Sequence, residues 1–290
     1  MKKIFRVYLP VAAALAALTT GCSDQKALVQ RDAQSIFDEA ARELEKKHCL
    51  KAAELFQKVV INFPGSALAD DAQFRVGEAR FCAKEYTEAV FEYQRLIDDY
   101  PNSPLAADSR YKIAACYAAQ SGGIYLDQTE TKKALAEYQR FIDDHPGSSL
   151  APDAQKRIAE IKGKLASKDA HIADNYLKWG YAEAARVYYQ RVLDIYGDTP
   201  WAEVARLGLA LVKVKKGEID AALEDLKQLV SRGVSEEVKK QAQAQIDELR
   251  KRHETSRKDL GSEPGATGGS PGGSLRPDPQ RSPDRGRGRP

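Results

Sequence analysis

The chain has 290 residues, with 45 Lys and Arg against 42 Asp and Glu and a formal net charge of +3. Charges of both signs are mixed along most of it, so no basic stripe is available for a nucleic-acid backbone and no such partner is expected. The histidines (His48, His145, His171, His253) and the four cysteines are too scattered for metal-ligand spacing, so neither a metal nor a cofactor is expected.

Residues 1–21 read as a secretory signal. Lys2, Lys3 and Arg6 precede an apolar run from Val7 to Leu18, which is shorter than the roughly 20 residues of a membrane-spanning helix. The run ends in Leu18-Thr19-Thr20-Gly21-Cys22. That sequence resembles a bacterial lipobox, with Thr19 where the pattern prefers Leu. The resemblance implies a diacylglycerol thioether on Cys22 and a second acyl chain on the new amino terminus, the two-chain arrangement that makes attachment to a membrane stable. Ser23 stands where an Asp retains enteric lipoproteins in the inner membrane, so the resemblance implies the periplasmic face of the outer membrane. Residues 22–31 form the lipidated linker.

Residues 32–255 read as a solenoid. FPGSALADDAQF from Phe63, YPNSPLAADSRY from Tyr100 and HPGSSLAPDAQK from His145 are variants of one phrase, and YGDTPWAEVARL from Tyr196 is a fourth with Gly197 in the Pro position. In each, Pro (or Gly197) stops one helix, Ser or Thr is expected to cap the next, and an alanine-rich helix follows. The phrases recur after 37, 45 and 51 residues. They resemble the tetratricopeptide repeat, a helical hairpin of about 34 residues with small residues at two places and a Pro near its end. Ala52 with Phe56, Ala89 with Tyr93, Ala134 with Tyr138, Ala185 with Tyr189 and Ala222 with Leu226 mark the second helices of five repeats. The expected fold is all-α, a solenoid of about five hairpins that bury their apolar faces only against one another.

Two insertions narrow the resemblance. The third repeat carries SGGIYLDQTETKKALAEYQRFIDDHPGS, in which Leu126-Asp127-Gln128-Thr129 leads into a second helix. The fourth prolongs its first helix through Ile158, Ile161 and Leu165 and continues ASKDAHIADNYLKWGYAEAARVYYQRVLDIYGDTP. With the lipobox, this succession from about Asp32 to Val230 resembles the BamD (ComL, YfiO) type of outer-membrane protein assembly lipoprotein. The resemblance implies a scaffold of the β-barrel assembly machinery. Its partners would be the periplasmic POTRA domains of a BamA-type insertase, unfolded β-barrel clients, other assembly lipoproteins and the membrane through the anchor. It assigns client signals to the N-terminal repeats and the insertase to the C-terminal ones. Phe74, Tyr111 and Tyr117, on first helices, are candidate walls for a client strand. Arg186, Tyr188 and Arg191, on the second helix of repeat four, are candidates for the insertase contact. A different repeat lipoprotein, coordinating cell-wall synthesis or envelope constriction, is the alternative.

No enzyme is expected, since no phosphate-cradling loop, nucleophile elbow or zinc-protease motif occurs. Asp98-Asp99 and Asp143-Asp144 recur at equivalent places behind Arg95 and Arg140, which reads as solvated helix ends with ion pairs. Cys49 and Cys82 lie beside successive turns; a bridge between them and two separate buried thiols both fit, while Cys116 reads as core. Residues 256–290 read as a disordered tail. Gly, Pro and Ser supply 18 of the last 30 residues, too little apolar surface to offset the entropy of ordering.

Overall fold

The computed structural model describes residues 32–261. The signal segment, Cys22, the linker and the tail beyond Gly261 lie outside the described residues. Within them the chain runs α1 (residues 32–45), α2 (Cys49–Asn62), α3 (Ala69–Cys82), α4 (Tyr86–Asp99), α5 (Ala106–Gln120), α6 (Thr129–Asp144), α7 (Ala151–Lys178), α8 (Ala182–Tyr196), α9 (Trp201–Lys216), α10 (Ile219–Ser231) and α11 (Glu236–Gly261). Successive helices pair into five hairpins, α1/α2 to α9/α10, and each hairpin stacks on the next. This is the all-α solenoid that the repeated phrase predicts. Helix α11 is an addition, packed along α10 through Val238, Ala242, Ile246 and Leu249. It extends to Gly261 and so takes in the first residues of the segment expected to be disordered; no Gly or Pro interrupts residues 236–260.

One short code builds every second helix. An Ala is followed four residues later by a large side chain and three after that by another apolar one, which keeps all three on one helical face. The triplets are Ala52-Phe56-Val59, Ala89-Tyr93-Leu96, Ala134-Tyr138-Phe141, Ala185-Tyr189-Val192 and Ala222-Leu226-Leu229, and none of these side chains is more than 3% exposed. The Ala brings two helices close; the large residue then fills the space between hairpins. Where the fit is tightest the facing residue has no side chain. A Cβ built on Gly77 would lie 2.6 Å from the Tyr93 ring, and one on Gly208 would lie closer still to the ring of Tyr189. Gly208→Ala should therefore cost about 1–3 kcal/mol by overpacking. Gly65→Ala, which meets nothing within 4 Å, should leave thermal unfolding unchanged; equal melting curves for the two variants would refute the close-packing account.

The phrase serines act differently from the expected helix caps. Ser66, Ser103 and Ser148 each accept a bond at Oγ from the amide two residues on (Leu68, Leu105, Leu150; 3.2 Å each), and those leucines occupy the cap positions. The serines thus shape the connecting turn, which the amides of the same serines close onto Phe63, Tyr100 and His145. The turns within hairpins need a left-handed residue: Lys47, Lys84, Gly180 and Gly217 hold φ of 63°, 63°, 87° and 81°. In the third hairpin the insertion replaces this turn. Asp127 accepts the Thr129 amide at 2.8 Å at the start of α6, and Gln128 Nε2 donates to the carbonyls of Gly123 and Leu126.

The first two turns are also joined covalently. Cys49 and Cys82 form a disulfide, with their Cα atoms 5.7 Å apart. Beside it Glu43 accepts from His48 Nδ1 at 2.8 Å and Lys46 Nζ at 3.1 Å, which draw its carboxyl down to about 2. That contribution to stability is complete above the ordinary carboxylate range and is lost as the pH falls from about 4.5 towards 2. Cys116 is a buried free thiol, pushed up to about 12 by burial, and so is a poor partner for exchange with the bridge. The acidic pairs find different partners. Arg95 reaches Asp99 at 3.2 Å, whereas Arg140 turns back to Glu137 at 3.1 Å and Asp144 faces Arg110 of α5 at 3.9 Å.

Candidate protein-interaction surface

Helix α7 is 28 residues long, and its end sets up an exposed aromatic surface. The helix stops where Gly180 turns left-handed, while the amides of Trp179, Gly180 and Tyr181 remain tied to the carbonyls of Asn175, Leu177 and Tyr176. The elbow is thus rigid, and it presents Trp179 and Tyr181 on either side of the glycine, 67% and 63% exposed. Both rings stand edge-on to Tyr176, at 6.0 Å and 6.3 Å between centroids. Tyr176 in turn stacks on Tyr188 of α8 at 5.5 Å and 23°.

The ladder continues with a cation. The Arg191 guanidinium lies 4.6 Å over the Tyr188 ring. Its fork is filled by Asp169 of α7, with Nε 2.8 Å from Oδ2 and a second bond from Nη2 to Oδ1. The Asp169 hydrogen bonds hold the Arg191 pKa above its usual value, and Asp169 is only 7% exposed. A filled fork cannot take a partner's carboxylate without giving up Asp169. Arg191, a candidate for the insertase contact, is therefore the rigid end of an aromatic surface and not a free hand for a partner's carboxylate. Arg191→Ala should cost about 1–3 kcal/mol, because it leaves a buried carboxylate unpaired. Arg191→Ala/Asp169→Ala together should recover part of that loss in chemical denaturation; a double variant as unstable as the two single losses combined would show the pair to be independent.

The other candidates are placed apart. Arg186 lies two residues before Tyr188 and so on a different face of α8, where it pairs with Glu183 at 2.7 Å, and Lys216 meets the same carboxylate at 3.0 Å. Phe74 is 7% exposed with its ring against Tyr93, so it is a core group and forms no groove wall. Tyr111 packs edge-on to Tyr138 and Phe141 and donates its hydroxyl to Asp153. Tyr117 is half-buried, with Lys133 Nζ 5.4 Å from its ring centre. Phe74 and Tyr117 border one core layer and Tyr111 the next.

The sequence reading missed Tyr176, Trp179 and Tyr181. The available signal was the order Trp-Gly-Tyr at a hairpin turn, where two large aromatics have no helix left to pack against. Solvent-facing Trp, Tyr and Arg in one patch are the residue types that dominate protein–protein binding energy. No three His, Cys, Asp or Glu side chains among the described residues are placed to hold a metal ion.

The family described as YfiO, an outer membrane lipoprotein, matches residues 29–229. That span takes in the disulfide, the insertion and the whole aromatic elbow, and it ends before α11. No curated protein matches the chain. Similar solved structures include a tetratricopeptide repeat protein from Parabacteroides merdae, 15% identical over 81% of both chains with a TM-score of 0.33. Another is a thermophilic tetratricopeptide-repeat protein of Thermus thermophilus, 14% identical over 75% of this chain and 98% of its own, with a TM-score of 0.32. With a match across more than half of its length, the chain belongs to the YfiO family of outer membrane lipoproteins.

Proposed function

We propose that this protein is a lipid-anchored scaffold on the periplasmic side of the outer membrane, part of the machinery that assembles β-barrel proteins, and that it acts by binding rather than by catalysis. The observation that carries the reading is the exposed, rigid aromatic elbow of α7 and α8, within the span shared with the outer-membrane lipoprotein family. In this reading Trp179, Tyr181, Tyr176 and Tyr188 bind the POTRA region of the barrel-shaped insertase. The N-terminal repeats, stapled by the disulfide, receive the terminal strand of a client, with the half-buried Tyr117 among the rings proposed for that task.

The anchor is Cys22. Cys22→Ala should move the protein from the membrane fraction to the soluble periplasm, while the wild type partitions into detergent. Unmodified wild-type protein in the soluble fraction would overturn the anchoring. Affinity capture from detergent-solubilised membranes tests the function. The expected return is the insertase; cell-wall synthases in its place would support the alternative role in envelope growth, and no envelope protein at all would refute both.

A further inference from the structure

A second surface lies around the end of the solenoid, where α11 has been added. Helices α7, α9 and α11 border a cleft of about 690 Å³, within the size range of small-ligand and side-chain pockets. Its apolar lining comes from Leu177, Leu211, Val214 and Leu249, and its rim carries Asp174, Lys178, Lys215, Glu248 and Arg252. The charges on that rim are not balanced. Arg252 bonds Glu248, and Asp174 accepts the Tyr189 hydroxyl but keeps its negative charge, so three cations face two carboxylates. Lys178 and Lys215, both exposed, form no ion pair among the described residues. An apolar floor beneath a rim with one positive charge in excess, and with two exposed lysines outside any ion pair, is complementary to one kind of occupant.

We infer that this cleft is a docking site for an acidic peptide segment of a partner protein, with apolar side chains on the floor and carboxylates on Lys178 and Lys215. The wall supplied by α11 falls outside the span matched by the family, although Lys178 directly precedes Trp179 of the elbow; the inference does not rest on the function proposed above. The chain's own tail is a poorer fit: residues 262–290 hold five Arg against three acidic residues, with Leu275 and Ala266 as their only apolar side chains. A like-charged tail would meet Lys178 and Lys215 unfavourably.

The test is fluorescence anisotropy of the full-length, detergent-solubilised protein with a fluorescein-labelled peptide of alternating Glu, Leu and Phe. Saturable binding is expected, weakening as salt is added. Lys178→Glu/Lys215→Glu should weaken it at least tenfold, and Lys178→Gln/Lys215→Gln serves if the reversal disturbs folding. Lys58→Glu/Lys240→Glu, the same charge change at exposed sites away from the cleft, should leave binding unaltered. Absence of saturable binding, equal binding of a peptide with Lys in place of Glu, or equal weakening by the two reversal pairs would overturn the site. Removal of residues 262–290 should leave the affinity unchanged; a tenfold gain would make the tail the occupant and overturn the inference of a partner. A dimer in sedimentation equilibrium that only Lys178→Glu/Lys215→Glu abolishes would make the occupant a second copy, with the same consequence.

Discussion

Cys82→Ala should unfold the N-terminal hairpins ahead of the rest of the molecule. The bridge closes a loop of 33 residues between Cys49 and Cys82, and chain-entropy reasoning puts its worth at about 3–4 kcal/mol. In a compact domain that loss would lower one cooperative transition. In a solenoid each hairpin is held mainly by its neighbours, and the first has a neighbour on one side only. Hairpin one rests on Ala40, Ala52, Phe56 and Val59 meeting Ala72 and Val76 of α3, a modest layer for a terminal unit. Circular dichroism should therefore show an early, partial melt in Cys82→Ala or in protein kept reduced, followed by the main transition near its original temperature. Superposable melting curves for oxidised and reduced protein would show that the bridge adds nothing to packing already present.

The second large effect concerns binding with folding left intact. Trp179 and Tyr181 are 67% and 63% exposed, and neither belongs to a buried core layer. Trp179→Ala/Tyr181→Ala should therefore melt within a degree or two of the wild type. On the proposed reading it should also lose at least about 30-fold in affinity for the insertase POTRA region, roughly 2 kcal/mol, as befits central aromatic anchors. Arg191→Ala makes the useful contrast, since it should lower binding and stability together through Asp169. A double aromatic variant that binds like the wild type would move the interface elsewhere on the solenoid.

Much of the fold is legible because repetition averages out local ambiguity. Tyr93 alone could be a surface ring, but Phe56, Tyr138, Tyr189 and Leu226 at the same place behind an Ala identify a packing position. Recurrence reveals which residues are equivalent but not their detailed roles. Ser66, Ser103 and Ser148 mark the right place while bonding the turn and not the helix. The first helices defeat a simple reading for another reason. Helix α3 lies between α2 and α4, and its buried residues Ala69, Ala72, Gln73, Phe74, Val76, Gly77 and Ala79 cover much of its circumference. With no single apolar stripe, a core ring such as Phe74 looks like a groove ring. The elbow was hidden because it depends on two relationships that spacing does not encode: the reach of Arg191 back across 22 residues to Asp169, and the left-handed Gly180 that sets Trp179 and Tyr181 on either side of the turn.

The central claim, that the α7–α8 elbow is where this scaffold meets the insertase, is most directly tested by photocrosslinking in intact cells. Tyr181 is replaced by p-benzoylphenylalanine, an aromatic of similar reach, and the exposed Leu50 at the far end of the solenoid carries the same group as a control. The expected result is one dominant adduct at position 181, mapping by mass spectrometry to the insertase POTRA domains and absent at position 50. Adducts at 181 only to other proteins, or the same insertase adduct from both positions, would contradict the claim.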